Sequence, residues 1–290
     1  MRILFTIPHF YDPQGGGRYG SLGADPRPRR GALATAIAGL HATFGMRQGL
    51  QLSPIAPGNA AWRAEIEVVV CTTGAKHLLG QLGLPAWMYR HHATSASPML
   101  VGFECHAVLR EALGGYDYYC YLEDDLLLTD VLFFQKLQWF TRLAGEDAVL
   151  QPNRFEVALG QPFDKLYIDG DLKHPELSAR LQDLGDRPLL RAEALGASLV
   201  FRRLGNTHSG CFFLNAAQMQ AWARRPEFLN RDTSFVGPLE SAATLGVTRF
   251  FRVYKPARDN LGFLEVRHLD NRYLGVRVRT PGAPPRAARR

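Results

Sequence analysis

Three consecutive carboxylates, Glu123, Asp124 and Asp125, lie between two apolar runs and constrain the fold of this chain more than any other feature. The preceding run, residues 116–122, is aromatic and strand-like, and three leucines follow the triplet. Neighbouring carboxylates repel one another and lose solvation among apolar residues, so another charge must compensate them. Ligands of open α/β sheets bind just past the carboxyl ends of strands, where this triplet falls. The pattern indicates a divalent cation bridging a diphosphate or, alternatively, a solvated acidic turn before a helix.

The order of hydrophobic patterns along the chain predicts an α/β fold with a mostly parallel central sheet flanked by helices. Strand-like runs at 3–8, 67–72 and 116–122 alternate with helical spacing at 32–44, 75–82 and 103–113. Thr129 is expected to cap a helix that continues to Leu143. The second half is less regular: strands are expected at 210–215 and 249–254, one helix ending at Trp222, and another at 238–245.

Length and composition suit a single domain over residues 1–275. The chain has 290 residues, of which 46% are hydrophobic and 21% charged, so it has enough apolar material for a large core. No apolar stretch approaches the roughly 18 residues of a membrane-spanning helix, and no signal sequence is recognised. The four cysteines are widely spaced and lack a C-x-x-C pair, which suits buried thiols in a reducing compartment and disfavours a zinc site. We therefore expect a cytoplasmic protein.

The net charge of +7 is concentrated at the carboxyl end, where Arg277, Arg279, Arg286, Arg289 and Arg290 supply five positive charges. Residues 276–290 are polar, basic and proline-containing, so they are predicted to form a disordered tail. Such a tail could hold the protein at the inner face of an anionic membrane or at a polyanionic acceptor, or it could have no partner. The rest of the chain is close to neutral, which argues against nucleic acid as a partner.

Residues 116–128, Tyr-Asp-Tyr-Tyr-Cys-Tyr-Leu-Glu-Asp-Asp-Leu-Leu-Leu, resemble the metal-binding strand of GT-A-fold glycosyltransferases. The triplet is similar to the Glu-Asp-Asp version found in N-acetylglucosaminyltransferase I, and the Phe133-Phe134 pair fits the same layout. The resemblance implies a GT-A-like, Rossmann-related fold, a nucleoside-diphosphate-sugar donor, and Mn²⁺ or Mg²⁺ as the cofactor. It implies that Asp125 binds the metal with Asp124 in support, and that Asp124 and Glu123 reach the ribose, the donor sugar or metal-bound water.

The same resemblance suggests roles for residues elsewhere in the chain. GT-A enzymes often complete the metal site with a late histidine, and His268 lies in that region with Glu265 and Asp270 as local competitors. A carboxylate near a helix start is the general base in inverting members, so Glu240 is the first candidate and Asp232 the second. Nucleotide-sugar contacts are further expected from Thr6, Pro8, His9, Tyr11, Arg27, Arg30, Thr72, His208, Ser209 and Gly210. Each position also has a structural interpretation, as a packed histidine, a helix-terminal charge or a plain turn.

Together these inferences predict a glycosyltransferase that moves a sugar, from a UDP-sugar by preference, onto a hydroxyl of a glycan or glycolipid such as a cell-surface polysaccharide. The choice between inverting and retaining chemistry stays open.

Three alternative functions fit the sequence less well. A metal-independent GT-B-fold glycosyltransferase fits the opening residues 1–17, but its two domains need a longer chain. A Mg²⁺-dependent phosphohydrolase would place its nucleophilic aspartate at the end of the first strand, whereas Asp12 lies beyond Pro8. An arginine-rich polyanion-binding module would explain the tail and leave the triplet unexplained.

Overall fold

A computed structural model describes residues 1–16, 20–157, 163–170, 176–270 and 272–275. Its strands are β1 (Arg2–Pro8), β2 (Gly49–Leu50), β3 (Ala56–Pro57), β4 (Glu65–Thr73), β5 (Arg90–Thr94), β6 (Tyr118–Leu122), β7 (Leu126–Leu127), β8 (Ala148–Leu150), β9 (Asn153–Val157), β10 (Lys165–Tyr167), β11 (Leu189–Ala194), β12 (Ala197–Arg202), β13 (Cys211–Asn215), β14 (Arg252–Pro256) and β15 (Glu265–His268). Its helices are α1 (Arg27–Phe44), α2 (Val101–Glu111), α3 (Phe133–Ala144), α4 (Glu176–Ala179), α5 (Ala216–Ala223) and α6 (Pro238–Phe250).

The central sheet has the strand order β13-β6-β1-β4-β5. β1 pairs in parallel with β4 and β6, and β4 pairs in parallel with β5, whereas β13 is antiparallel at one side. The apolar runs of β1, β4 and β6 are mostly buried, as expected for parallel strands that are covered on both faces. The predicted α/β fold with a mostly parallel central sheet is confirmed.

Helices cover both faces of this sheet through two hydrophobic clusters. On one face, Ile37 of α1 and Phe134 of α3 share a cluster with Phe5 of β1. On the other face, helices α2, α5 and α6 supply side chains such as Val108 and Trp222 to a second cluster. The flanking helices that the sequence predicted are therefore present.

Helix α1 begins at Arg27, earlier than the predicted start at residue 32, because a proline fits the first turn of a helix without losing a hydrogen bond. The early start places Arg29 on the first turn. The helix runs from the carboxyl edge of the sheet, where β1, β4 and β6 end, to the amino edge, where they begin. At the amino edge the Ala64 amide donates to the Phe44 carbonyl over 2.6 Å.

Two local predictions are wrong. Residues 75–82 do not form a helix; the described structure there is one 3-10 turn, Leu79–Gln81, because the segment is flanked by Gly74 and Gly83, both at positive φ. Thr129 does not cap α3, which begins at Phe133, and Asp130 accepts instead from the Leu132 amide over 2.9 Å.

Apart from β13, the strands of the second half of the chain belong to two small mixed sheets, which β7 joins from the first half; the strand orders are β10-β9-β15-β7 and β11-β12-β14-β8. The sequence predicted few strands between residues 151 and 195. The strands it missed are β2, β3, β5, β7, β8, β9, β10, β11, β12 and β15. β6 and β13 begin slightly later than expected, α2 begins and ends slightly earlier, and α6 extends to Phe250. The pairing of β15 with both β9 and β7 brings the late part of the chain to the triplet.

Among the helices of the described residues, none has the length and apolar character required to cross a membrane. The four cysteines are buried and unbridged, as predicted. Residues 276–290 lie outside the described residues, so the disordered tail and its five arginines remain predictions, as does the domain limit at residue 275.

Candidate metal and ligand site

The triplet lies at the carboxyl edge of the central sheet, as predicted from its position after β6. The Glu123 amide donates to the Gly210 carbonyl over 2.8 Å, which extends the β6–β13 pairing by one residue. Beside the triplet, a cavity of about 760 Å³ opens between the carboxyl edge and α6, and Glu123 and Asp125 line it. A cavity of this size is within the range that holds small-molecule ligands.

Asp124 is fully buried and is compensated by two partners. His9, which follows β1, places Nδ1 2.5 Å from Asp124 Oδ2, and its Nε2 accepts from the Leu78 amide over 3.1 Å. Because Nε2 is an acceptor, the proton resides on Nδ1, and His9 donates to Asp124 as a neutral imidazole. The Arg29 guanidinium forms an ion pair with the other oxygen, Asp124 Oδ1. Asp124 therefore serves as an internal anion that positions His9 and Arg29.

Asp125 faces the cavity and has a different environment. Arg29 Nη1 lies 3.0 Å from Asp125 Oδ2, and His268 Nε2 lies 3.7 Å from the same oxygen. Burial lowers the pKa of Arg29, but the surrounding carboxylates, Asp124 first, outweigh it and raise that pKa. Arg29 is thus a permanent cation that contacts two of the three carboxylates.

Asp125, His268 and Asp270 form a group with metal-ligand geometry. Each offers one ligand atom, and these atoms all lie within 4.8 Å of one another. The antiparallel pairing of β15 with β7 aligns His268 with Leu126, next to Asp125. Two carboxylates and one imidazole suit a divalent cation of the Mn²⁺ type.

The hydrogen-bond partner of His268 supports this fit. Glu156 is fully buried, and its Oε1 lies 2.8 Å from His268 Nδ1. Glu156 also accepts from the backbone amides of Tyr273 and Leu274, so its carboxyl oxygens face donors on several sides and fix the orientation of the His268 ring. His268 Nε2 lies on the other side of the ring, toward Asp125; a carboxylate on one ring nitrogen and a ligand position on the other is the arrangement usual for metal-binding histidines. The residues present therefore fit a cation.

Glu123 is half-buried at the cavity wall. Burial, followed by the nearby Asp125 carboxylate, raises the pKa of Glu123 to about 8 against the opposing effect of Arg154. Gly210, at φ +65°, allows this packing, because a Cβ at that position would lie 2.8 Å from Glu123 Oε2. Glu123 is thus placed to donate or accept a hydrogen bond within the cavity.

A second charged network lies behind the cavity, and no sequence pattern indicated it. Asp169 Oδ1 accepts from Arg154 Nε over 2.8 Å, and Asp169 Oδ2 lies 3.0 Å from Lys255 Nζ. Burial alone would raise the pKa of Asp169, but Arg154 and Lys255 hold it down at about 2. Lys255 Nζ also donates to the His208 carbonyl over 2.5 Å. Arg154 lines the cavity, so this network supplies a fixed cation there.

The two candidates for the general base occupy different surroundings. Glu240 lies in the first turn of α6 and lines the cavity. Asp232 does not line it; Arg249 and the Ser234 amide bind its carboxylate. A hydrogen bond from the Ser234 side chain is the largest cause that lowers the pKa of Asp232, and with the Arg249 and amide bonds it brings that pKa to about 2 against the opposing effect of burial. Such an acid is a poor proton acceptor near neutral pH.

The predicted nucleotide-sugar contacts from the first third of the chain separate into two sets. Pro8 lines the cavity and His9 supports it through Asp124. The others bond elsewhere: Thr6 to the Cys120 carbonyl, Tyr11 to the Gly23 carbonyl, Arg27 to Asp25, and Thr72 to His91, while Arg30 lines no part of the cavity.

The predicted site residues in the loop before β13 also differ in whether they reach the cavity. His208 lines the cavity, and its Nδ1 lies 2.9 Å from Thr244 Oγ1. Ser209 is fully buried and donates to the Pro152 carbonyl over 2.8 Å, so it supports the loop.

Sequence reasoning missed Arg29, Glu156 and Arg154, and it named Asp270 only as a competitor of His268. Asp270 lies two residues beyond His268, the last residue of β15, and so is close to it in sequence. Arg29 would have been found only with the correct start of α1. Glu156 and Arg154 carry no local pattern.

No protein-family model matches this chain, and no curated protein matches it. Among solved structures it is similar to apo mouse xyloside xylosyltransferase 1, with 9% identity, a TM-score of 0.39, and coverage of 87% of this chain and 85% of that chain. It is similar to the galactosyltransferase LgtC in complex with donor and acceptor sugar analogs, with 13% identity, a TM-score of 0.37, and coverage of 88% and 73%. It is also similar to mannose-1-phosphate geranyltransferase from Thermus thermophilus, with 13% identity, a TM-score of 0.35, and coverage of 88% and 73%. A proposal about function therefore rests on the residues of the cavity.

Proposed function

We propose that this protein is a metal-dependent glycosyltransferase that transfers a sugar from a nucleoside-diphosphate sugar to a hydroxyl acceptor. The observation that carries the proposal is the group formed by Asp125, His268 and Asp270, which lines a cavity on the carboxyl edge of the sheet. Its support from sequence is the resemblance of residues 116–128 to the metal-binding strand of GT-A enzymes.

The cavity combines the charges that a nucleoside diphosphate requires. Asp125, His268 and Asp270 would hold Mn²⁺ or Mg²⁺, which when bound supplies Lewis-acid stabilisation of the departing diphosphate. Arg29 and Arg154 add two permanent cations to the wall, and each is paired with a carboxylate. Cations at these positions attract the phosphate oxygens and orient the donor.

Glu240 is the residue we assign as general base if the reaction inverts the anomeric configuration. The acceptor oxygen forms its bond to the anomeric carbon, the bond from that carbon to the diphosphate oxygen breaks, and the hydroxyl proton passes to Glu240. If the configuration is retained, this base is unnecessary, and Glu123 and Arg154 serve only to orient the sugar. NMR of the product anomer decides between these courses.

The alternatives are less well supported by the site. For a phosphohydrolase, Asp12 would be the nucleophile, but it pairs with Lys76 and does not line the cavity, and both oxygens of Asp124 are engaged. A GT-B enzyme would need a second large parallel sheet, whereas the described residues contain one such sheet and smaller mixed ones. UDP as the preferred nucleotide and a glycan or glycolipid as the acceptor remain proposals that follow from the resemblance.

Thermal unfolding of the full chain with UDP, GDP and CDP, each with and without Mn²⁺, tests the proposal. We expect the melting temperature to rise with one nucleotide, and more so when Mn²⁺ is present. Asp125→Asn should abolish the metal-dependent part of the rise, while Glu265→Gln, a carboxylate change on β15 outside the metal group, should preserve it. If no nucleotide raises the melting temperature under any condition, the glycosyltransferase proposal is wrong.

A further inference from the structure

Residues 45–64 connect α1 to β4 and project from the amino edge of the sheet; we call this connecting segment the excursion. α1 ends at Phe44 and β4 begins at Glu65, and the Glu65 amide donates to the Met1 carbonyl over 3.0 Å. The excursion therefore starts and ends beside the beginning of β1, at the opposite edge from His9 and the triplet. Within it, β2 and β3 pair with each other and with no other described strand.

The excursion exposes an unusual number of large apolar side chains. Leu50, Leu52 and Ile55 at the tip of the β2–β3 hairpin are 57%, 52% and 67% exposed. Met46 and Trp62 at its base, and Trp87 from the neighbouring 3-10 turn, are 48%, 40% and 50% exposed. We call these six residues the amino-edge patch. Apolar side chains concentrated in one short segment indicate a binding surface more strongly than single exposed residues do.

The hairpin is held in place despite its exposure. The Gln48 side chain donates to the carbonyls of Thr43 and Gly45 over 3.3 and 3.0 Å and accepts from Asn59 over 2.6 Å. A two-stranded hairpin is marginal in water without such support. Its apolar tip is thus presented from a fixed base.

The segment that forms the hairpin and its base carries basic side chains and no acidic ones. The chain has no Asp or Glu between Asp25 and Glu65. Arg47 stacks over the Trp87 ring at 3.8 Å, and within the described part of the chain no salt bridge joins Arg47 or Arg63 to a carboxylate. An apolar tip with tryptophans and arginines at its base is the composition that binds at the interface of an anionic bilayer.

We propose that the amino-edge patch binds an anionic membrane surface, with Leu50, Leu52 and Ile55 inserted among the lipids and Arg47 and Arg63 at the headgroups. A narrow tip fits insertion better than it fits a protein partner, because a stable protein interface needs on the order of 1,000 Å² of complementary surface. The 18 residues of α1 span about 27 Å, so the cavity at the other edge faces away from the bilayer. This surface is independent of the proposed function and of the tail.

Sedimentation of the full chain with vesicles tests the proposal. With vesicles of about 70% phosphatidylcholine and 30% phosphatidylglycerol, chosen to supply anionic headgroups, we expect binding and a blue shift of the fluorescence from Trp62 and Trp87. The triple variant Leu50→Gln, Leu52→Gln, Ile55→Gln should lose at least tenfold in affinity, since each buried aliphatic side chain contributes substantially. The control Leu195→Gln, a residue 84% exposed on the β11–β12 turn, should bind like the unmodified protein.

The remaining outcomes overturn the proposal. Unchanged binding by the triple variant would show that the hairpin is not the contact. Loss of binding only when Arg277, Arg279, Arg286, Arg289 and Arg290 are changed to Gln would assign attachment to the tail. A dimer in light scattering that the triple variant dissociates, without vesicle binding, would identify a second copy of this chain as the partner. None of these outcomes depends on nucleotide binding, so the proposed function is tested separately.

Discussion

The two edges of the central sheet differ in the side chains that they bury and expose: one buries charged side chains, and the other exposes apolar ones. At the carboxyl edge, Asp124 and Asp169 are buried and paired with arginine, histidine or lysine. At the amino edge, Leu50, Leu52 and Ile55 are mostly exposed and charges lie on the surface. Burying charge and exposing apolar side chains are both unfavourable in water. The contrast is the basis of the two proposals, a charged ligand at the carboxyl edge and an anionic membrane at the amino edge.

The largest effect on stability is expected at the buried network. Asp169→Asn leaves Arg154 and Lys255 buried without their carboxylate, so urea unfolding should show a loss of about 3–5 kcal/mol at neutral pH. Glu65→Gln, which removes a surface ion pair with Arg2 at the amino edge, should change stability by less than about 1 kcal/mol. Equal losses would mean that the edges do not differ energetically.

The stability difference between the unmodified protein and Asp169→Asn should depend on pH. Asp169 has a pKa of about 2 in the folded protein, below its ordinary value, so its contribution is present above about pH 4. As pH falls toward 2 the carboxylate of the unmodified protein takes up a proton, and the difference between it and Asp169→Asn should shrink. A difference that stays constant down to pH 2 would contradict this account.

Removing the Arg29 charge should raise Mn²⁺ affinity. The Arg29 guanidinium contacts Asp125 Oδ2, which is also the oxygen near His268 Nε2. A cation bound between Asp125 and His268 would therefore be repelled by the guanidinium charge. Arg29→Gln should bind Mn²⁺ roughly tenfold more tightly without nucleotide, about 1.4 kcal/mol, as measured by electron paramagnetic resonance of free Mn²⁺. Arg30→Gln removes the same charge from the next residue of α1 and should have a smaller effect; equal effects would exclude a direct role for the Arg29 contact.

Two glycines at positive φ, one at each edge, allow the stability cost of adding a single methyl group to be compared between the edges. Gly114, before β6 at the amino edge, has open space where a Cβ would lie, whereas a Cβ at Gly210 would lie 2.8 Å from Glu123. Gly114→Ala should cost about 1 kcal/mol for the backbone conformation alone, and Gly210→Ala about 2–3 kcal/mol because Glu123 must also move. Urea unfolding of both variants measures these costs, and similar values would show that Glu123 relaxes freely.

The smallest effect is expected at the hairpin tip. Leu52 is half exposed and packs in neither hydrophobic cluster, so Leu52→Gln should change the free energy of unfolding by less than about 0.5 kcal/mol. Urea unfolding of this variant checks the expectation. A loss above about 1 kcal/mol would mean that the amino-edge patch stabilises the fold.

The parts of the fold that the sequence predicted are those with strong local patterns. β1, β4 and β6 are apolar runs whose burial follows from hydrophobicity alone, and the triplet followed β6 as expected. β5 was missed because its sequence, Arg-His-His-Ala-Thr, has little apolar character; it lies at the side of the sheet and depends on β4 for pairing.

The site was predictable only where residues are close in sequence or where the resemblance supplied them. His268 came from the resemblance, and its geometry with Asp125 depends on the β7–β15 pairing, which no local pattern records. The pair formed by Asp169 and Lys255 joins residues 86 positions apart. Such contacts follow from tertiary structure, and a single sequence carries no periodic signal for them.

The pairing of β15 with β7 bears on protease resistance. Two aligned residue pairs, Arg267 with Leu127 and His268 with Leu126, hold these strands together, and a ladder this short opens more readily than the central sheet. A cation shared by Asp125 and His268 would close this ladder and bind only the closed form, so opening would become rarer in proportion to occupancy. The late part of the chain would then be cut slowly by proteases when Mn²⁺ is present and faster after its removal.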